Sequence, residues 1–259
     1  MTRVFSAPTR TAAWLAASEY LLGNGETLNV ILDIESPGVD GGAANRVRTL
    51  IDAFYQSEDA YAIHTVAETI FPGWEYRLHG LKGVYERYPA QYAFFKKGDS
   101  SWGRYAYRMI HRIDSVGNVV NPLDRMIRKM KWANSKRGIA FRACYELGIL
   151  DGAYELPLYD GGSDGGRLEG APCLTHLSFK LVEGKVHLTA LYRNHDYRYK
   201  VPGNLLGLAR LQACVANETG AALGTLVVHS TRAFVDKRKG KRPFAALVAE
   251  VSRELAPNH

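Results

Sequence analysis

The run LTHLSFKLV (174–182) is followed, after only Glu183-Gly184, by KVHLTALYRN (185–194). Both runs alternate apolar with polar residues and favour β-branched and aromatic side chains, so each reads as a strand with one buried face. A two-residue connection ending in glycine predicts an antiparallel hairpin. The open end of that hairpin brings Cys173, just ahead of the first strand, close to Arg193, near the end of the second. The chain must therefore build a sheet, with a thiol and a guanidinium meeting at its rim.

The remaining segments surround that sheet. Helical spacing is predicted over 11–22, 46–56, 60–71, 103–113 and 122–133, the last with Asn121 as cap and Pro122 in its first turn. ETLNVILDI (26–34), GIAFRACYEL (138–147) and TLVVHS (225–230) read as further strands, and SPGVDGGAAN (36–45) as a turn-rich loop. VPGNLLGLARLQACVANETG (201–220) is a long helix stopped by Gly220, and FAALVAEVSREL (244–255) a closing one. Strands and helices intermingle without regular βαβ alternation, which predicts an α+β fold with helices packed on a large mixed or antiparallel sheet. With no internal repeat and no Pro/Ser-rich linker, residues 1–259 read as a single domain.

Composition narrows the function classes. Hydrophobic residues make up 46% of the chain, yet no apolar run reaches the roughly 20 residues that span a bilayer. The N-terminal stretch reads as a first helix rather than a secretion signal. Cys144, Cys173 and Cys214 stand at unrelated spacings, which argues against a disulfide framework or zinc site and for a cytoplasmic setting. His176, His187 and His195 show no ligand spacing, and no metal is expected. The net charge of +7 favours anionic ligands. KRKGKR (237–242) reads as a solvated loop, and aromatic and basic residues are not interleaved as in a nucleic-acid-binding module.

A guanidinium beside a thiol favours the thiolate, the reactive form. That pairing belongs to a longer constellation: Pro172-Cys173, then Arg193-Asn194-His195-Asp196, then Pro202-Gly203-Asn204 at the head of a long helix. Upstream stand SKRGIAFRACYEL (135–147), WGRYAYRM (102–109) and Glu68 in VAETIF. In order and spacing, the region from about 100 to 232 resembles thymidylate synthase and its relatives, the hydroxymethylases of dUMP, dCMP and CMP.

The resemblance implies a thymidylate synthase-like fold and a C5 one-carbon transferase. Cys173 would add to C6 of a pyrimidine, and Glu68 would manage protons around O4 and C5. Arg193, with Lys136 and Arg137 from the other subunit of a homodimer, would hold the 5′-phosphate of a nucleoside monophosphate. Asn204 would read the base edge, Tyr105 and Asn194 would complete the substrate site, and Asp196 would position 5,10-methylenetetrahydrofolate. The family's deoxyribose-binding His-x-Tyr pair reads Phe234 and Asp236 here, Lys136 replaces an arginine, Tyr192 replaces a glutamine, and the folate-closing tail has no evident counterpart. These departures place hydroxymethylation ahead of methylation. They leave open a nucleotide-binding protein of the same fold without transfer activity, and, from another class, a nucleic-acid-binding protein.

Overall fold

Glu183 and Gly184 both adopt left-handed backbone, at φ 51° and 71°, as a type I′ turn requires. Across them the two predicted strands pair from Val182–Lys185 to Leu174–Tyr192, with one register irregularity between Leu174 and His176. The computed structural model describes residues 2–39, 43–92, 94, 104–114, 116–135, 145–149 and 172–256. In chain order these hold β1 (Arg3–Ala7), α1 (Arg10–Asn24), β2 (Thr27–Ile34), α2 (Ala44–Ser57), α3 (Ile63–Ile70) and α4 (Gly73–Lys82). A π-helical turn (Gly83–Arg87) leads into α5 (Tyr88–Tyr92), then α6 (Tyr105–Ile110), the short β3 (Arg112–Ile113) and β4 (Val119–Val120), and α7 (Pro122–Ser135). There follow β5 (Glu146–Gly148), β6 (Leu174–Val182), β7 (Lys185–Tyr192), β8 (His195–Asp196), α8 (Val201–Thr219), β9 (Ala222–Phe234) and α9 (Arg242–Leu255).

Seven of the described strands form a mixed sheet in the order β1-β2-β9-β7-β6-β5, with β8 also paired to β9, while β3 and β4 pair separately. The β1/β2, β7/β9 and β8/β9 pairs are parallel and the others antiparallel. This is the predicted α+β architecture. One face is sealed, with Leu32, Phe179, Ala190 and Val228 fully buried beneath the helices. On the other face Thr189 is exposed, and His187, Val227 and His229 keep partial exposure.

Where the elements differ from expectation, tertiary contacts decide. The helix predicted over 60–71 starts at Ile63, whose N–H donates to Asp52 Oδ1 of α2 at 2.8 Å. It ends before Phe71, which is extended ahead of Pro72. The helix predicted over 103–113 stops at Ile110, and Arg112 enters β3. The strand predicted over 138–147 lies mostly outside the described residues, which show β5 at Glu146–Gly148. β9 is longer than the predicted 225–230, because β2 and β7 supply pairing partners beyond both ends of that run. β1 was not predicted at all.

Two glycines seat the head of α8. A Cβ on Gly203 would come within 2.4 Å of Val66 Cβ and 2.8 Å of the Ile63 carbonyl, and one on Gly207 within 2.7 Å of the Ala67 carbonyl. One helical turn apart, they let α8 and α3 touch backbone to side chain with no intervening methyl. That contact sets the position of the head of α8, where Asn204 stands.

Candidate active site

The hairpin delivers Cys173 and Arg193 to each other as the sequence predicts. Arg193 N–H donates to the Cys173 carbonyl at 2.9 Å, one step beyond the last registered pair. From the other side, the Tyr105 hydroxyl at the start of α6 accepts the N–H groups of Cys173 (3.0 Å) and Leu174 (3.4 Å). The backbone at position 173 is thus pinned by two elements, while its thiol remains partly exposed. Arg193 is exposed, and its side chain has no hydrogen-bond or ion-pair partner among the described residues.

The thiol's ionisation departs from the sequence expectation. Burial pushes the Cys173 pKa above its ordinary value, and Arg193 and then Lys200 pull it back down without fully offsetting burial. The guanidinium therefore acts in the expected direction, but desolvation wins and Cys173 rests as the thiol.

Behind Cys173 lies a polar cluster that the sequence reading missed. Tyr192, fully buried, stacks on His195 with centroids 3.9 Å apart. His195 Nδ1 lies 2.9 Å from Ser230 Oγ on β9, and Nε2 lies 3.0 Å from Asn204 Nδ2 on α8. In the sequence His195 shows no metal-ligand spacing. Yet His195 falls between Arg193 and Asp196, which was signal enough to place it here.

The neighbouring candidates are held as firmly. Asp196 Oδ1 accepts N–H from Arg198 (3.0 Å) and Asp236 (3.3 Å). Burial pushes its carboxyl up to about 6, above the ordinary carboxylate range, despite those two donors. Asn194 Oδ1 accepts from Arg232 Nη1 at 2.7 Å, and Arg232 also forks onto Glu26. Arg198, fully buried, pairs with Glu58 at 2.8 Å and donates to the carbonyls of Asp236 and Gly240.

Glu68 joins a different group. It pairs with Arg210 Nη1 on α8 at 2.9 Å, and Arg210 Nη2 meets His64 Nδ1 at 2.7 Å. Burial raises the Glu68 pKa, with Arg210 opposing. Lys136 and Arg137 lie outside the described residues, as does Cys144; Cys214 is a core thiol. Among the described residues no group of three or more His, Cys, Asp or Glu is placed to hold a metal ion, and no helix is long and apolar enough to cross a membrane.

No family model matches the chain. A stretch of 64 residues is 41% identical to a protein of Methanosarcina barkeri named "Putative thymidylate synthase", covering 25% of this chain and 30% of that protein. A longer stretch, 121 residues at 27% identity, matches the like-named protein of Methanocaldococcus jannaschii over 46% of this chain and 49% of the relative. The alignments thus span about a third to a half of the length of these relatives. In three dimensions the chain is similar to thermostable thymidylate synthase A from Bacillus subtilis, with a TM-score of 0.51 and 12% identity over 94% of this chain and 84% of that one.

Proposed function

We propose that this chain, a member of the thymidylate synthase-like superfamily, transfers a one-carbon unit to C5 of a pyrimidine nucleoside 5′-monophosphate. The observation that carries the reading is the pairing at the hairpin's open end. A partly exposed thiol, its backbone pinned by Tyr105, lies next to an exposed arginine whose side chain is free for a phosphate.

Cys173 adds to C6 of the ring, which makes C5 nucleophilic. Arg193 anchors the 5′-phosphate by charge-assisted hydrogen bonds, joined in a homodimer by Lys136 and Arg137 of the other subunit. The partly exposed sheet face around Thr189 and Val227 suits that pairing of subunits. The phosphate offsets much of the cationic pull on the thiol, so the thiol proton passes to solvent, which reaches the partly exposed Cys173, as the bond from sulfur to C6 forms. Asn204 reads the base edge. Asp196 is given to 5,10-methylenetetrahydrofolate, because its Oδ2 has no hydrogen-bond partner among the described residues and can accept a ring N–H. That cofactor supplies the one-carbon unit. Phe234 and Asp236, in place of a sugar-reading His-x-Tyr pair, favour hydroxymethylation over methylation. Glu68 handles protons only once it is released from Arg210.

That last pairing favours a second reading, in which the chain binds the nucleotide without transfer. Trapping separates the two. The 5-fluoro analogue of UMP or dUMP with methylenetetrahydrofolate should leave a covalent adduct on Cys173, and tritium should be released from C5-labelled nucleotide. Tight nucleotide binding with neither adduct nor tritium release selects the second reading.

A further inference from the structure

His195 is sealed from solvent, stacked on Tyr192 and edge-on to Tyr197. Both of its ring nitrogens are engaged. An amide nitrogen can only donate, so the contact from Asn204 Nδ2 makes Nε2 an acceptor and leaves the ring proton on Nδ1, facing Ser230 Oγ. Tyr197 Oη lies 3.4 Å from the same oxygen, which completes a four-member chain. Burial keeps the imidazole neutral, lowering its pKa to about 3, so it does not donate from both nitrogens near neutral pH.

The consequence reaches the ligand side of Asn204. One of its N–H bonds goes to His195. The other remains beside Oδ1, which has no hydrogen-bond partner among the described residues. Together they form a donor and an acceptor in fixed order. Uracil offers an acceptor at position 4 and a donor at position 3, and cytosine the reverse. A free amide would match either base by turning over. Here, turning over sets Oδ1 against an unprotonated Nε2, two acceptors face to face in a buried site. Relief needs the ring proton to move to Nε2 and the Ser230 hydroxyl to turn round, both inside a sealed core.

We propose that His195 is a positioning residue which fixes the Asn204 amide and so makes the site choose between uracil and cytosine nucleotides. The inference rests on the pyrimidine-nucleotide reading above. A mispaired, desolvated edge rejects the wrong base by about tenfold or more.

Calorimetric titration of the full chain with UMP, CMP, dUMP and dCMP tests it. The wild type should prefer one base by at least about tenfold, and His195→Phe, which keeps the stack but neither donates nor accepts, should bring the two within about threefold. Ser230→Ala, a smaller perturbation that deprives Nδ1–H of its acceptor, should narrow the preference in the same direction. Long-range 15N spectra of the wild type should show His195 protonated at Nδ1. Equal binding of both bases by the wild type, an unchanged preference in both variants, or a proton on Nε2 overturns the inference and leaves the nucleotide reading standing. Failure to bind any pyrimidine nucleotide overturns both.

Discussion

Asp196→Asn should stabilise the protein, but only above a definite pH. Burial raises the Asp196 pKa from the ordinary 3.8 to about 6. A folded-state pKa above the unfolded one means that the native chain holds this proton more tightly. Below about pH 4 the carboxyl is protonated in both states and costs nothing. As the pH rises toward 6 the unfolded chain releases the proton first, and stability falls until both states are ionised. Each pH unit of that window is worth about 1.4 kcal/mol, so the full loss is about 3 kcal/mol at neutral pH. Asparagine keeps the Oδ1 that accepts from Arg198 and Asp236 and cannot ionise. Urea unfolding should therefore place Asp196→Asn about 3 kcal/mol above wild type near about pH 7.5, and within about 0.5 kcal/mol of it near about pH 4. An equal gain at both pH values, or none at the higher one, would refute the argument that desolvation of this carboxyl burdens the fold. Because the proposed function gives the same side chain to the cofactor, that reading expects the stabilised variant to lose activity.

Three further predictions concern the scaffold. Gly203→Ala pushes a methyl into Val66 and the Ile63 carbonyl and should destabilise by about 1–3 kcal/mol in thermal unfolding. Gly23→Ala, on the open side of α1 with nothing within 4 Å, should instead stabilise by about 0.5–1 kcal/mol. Arg198→Met leaves the largely buried Glu58 carboxylate with the Tyr199 hydroxyl but no cation and should cost about 3–5 kcal/mol, part of it recovered in the double variant with Glu58→Gln. Denaturant titration of the three proteins decides it, and a double variant no better than the single one contradicts the account.

What could be read from the sequence was what neighbours in the chain determine. The β6–β7 hairpin, its turn at Glu183-Gly184 and the Gly220 stop of α8 follow from local pattern. The Cys173–Arg193 contact follows from the hairpin alone. The net ionisation of Cys173 did not, because a sequence shows the cation next door but not the burial that outweighs it. Nor did the partner of Glu68, since Arg210 arrives on a distant helix through the Gly203/Gly207 approach to α3. The place of His195 follows from its neighbours Arg193 and Asp196, but its two partners, Ser230 and Asn204, come from a strand and a helix that meet only in the fold. β1 is five residues long and mostly exposed, so its pairing to β2 rather than its own pattern makes it a strand.

The placement of β9 governs how the molecule comes into being. β9 sits between β2 and β7, so a strand made long after β1 and β2 is the one that joins them to the hairpin. While the ribosome works through the residues between β2 and β9, β1 and β2 wait with an unfilled edge, the kind of exposed template on which nascent chains stick together. Closure of the sheet is therefore a late, long-range event and sets a slow folding rate. Shortened products that stop ahead of Ala222 should accumulate as aggregates, however sound their hairpin.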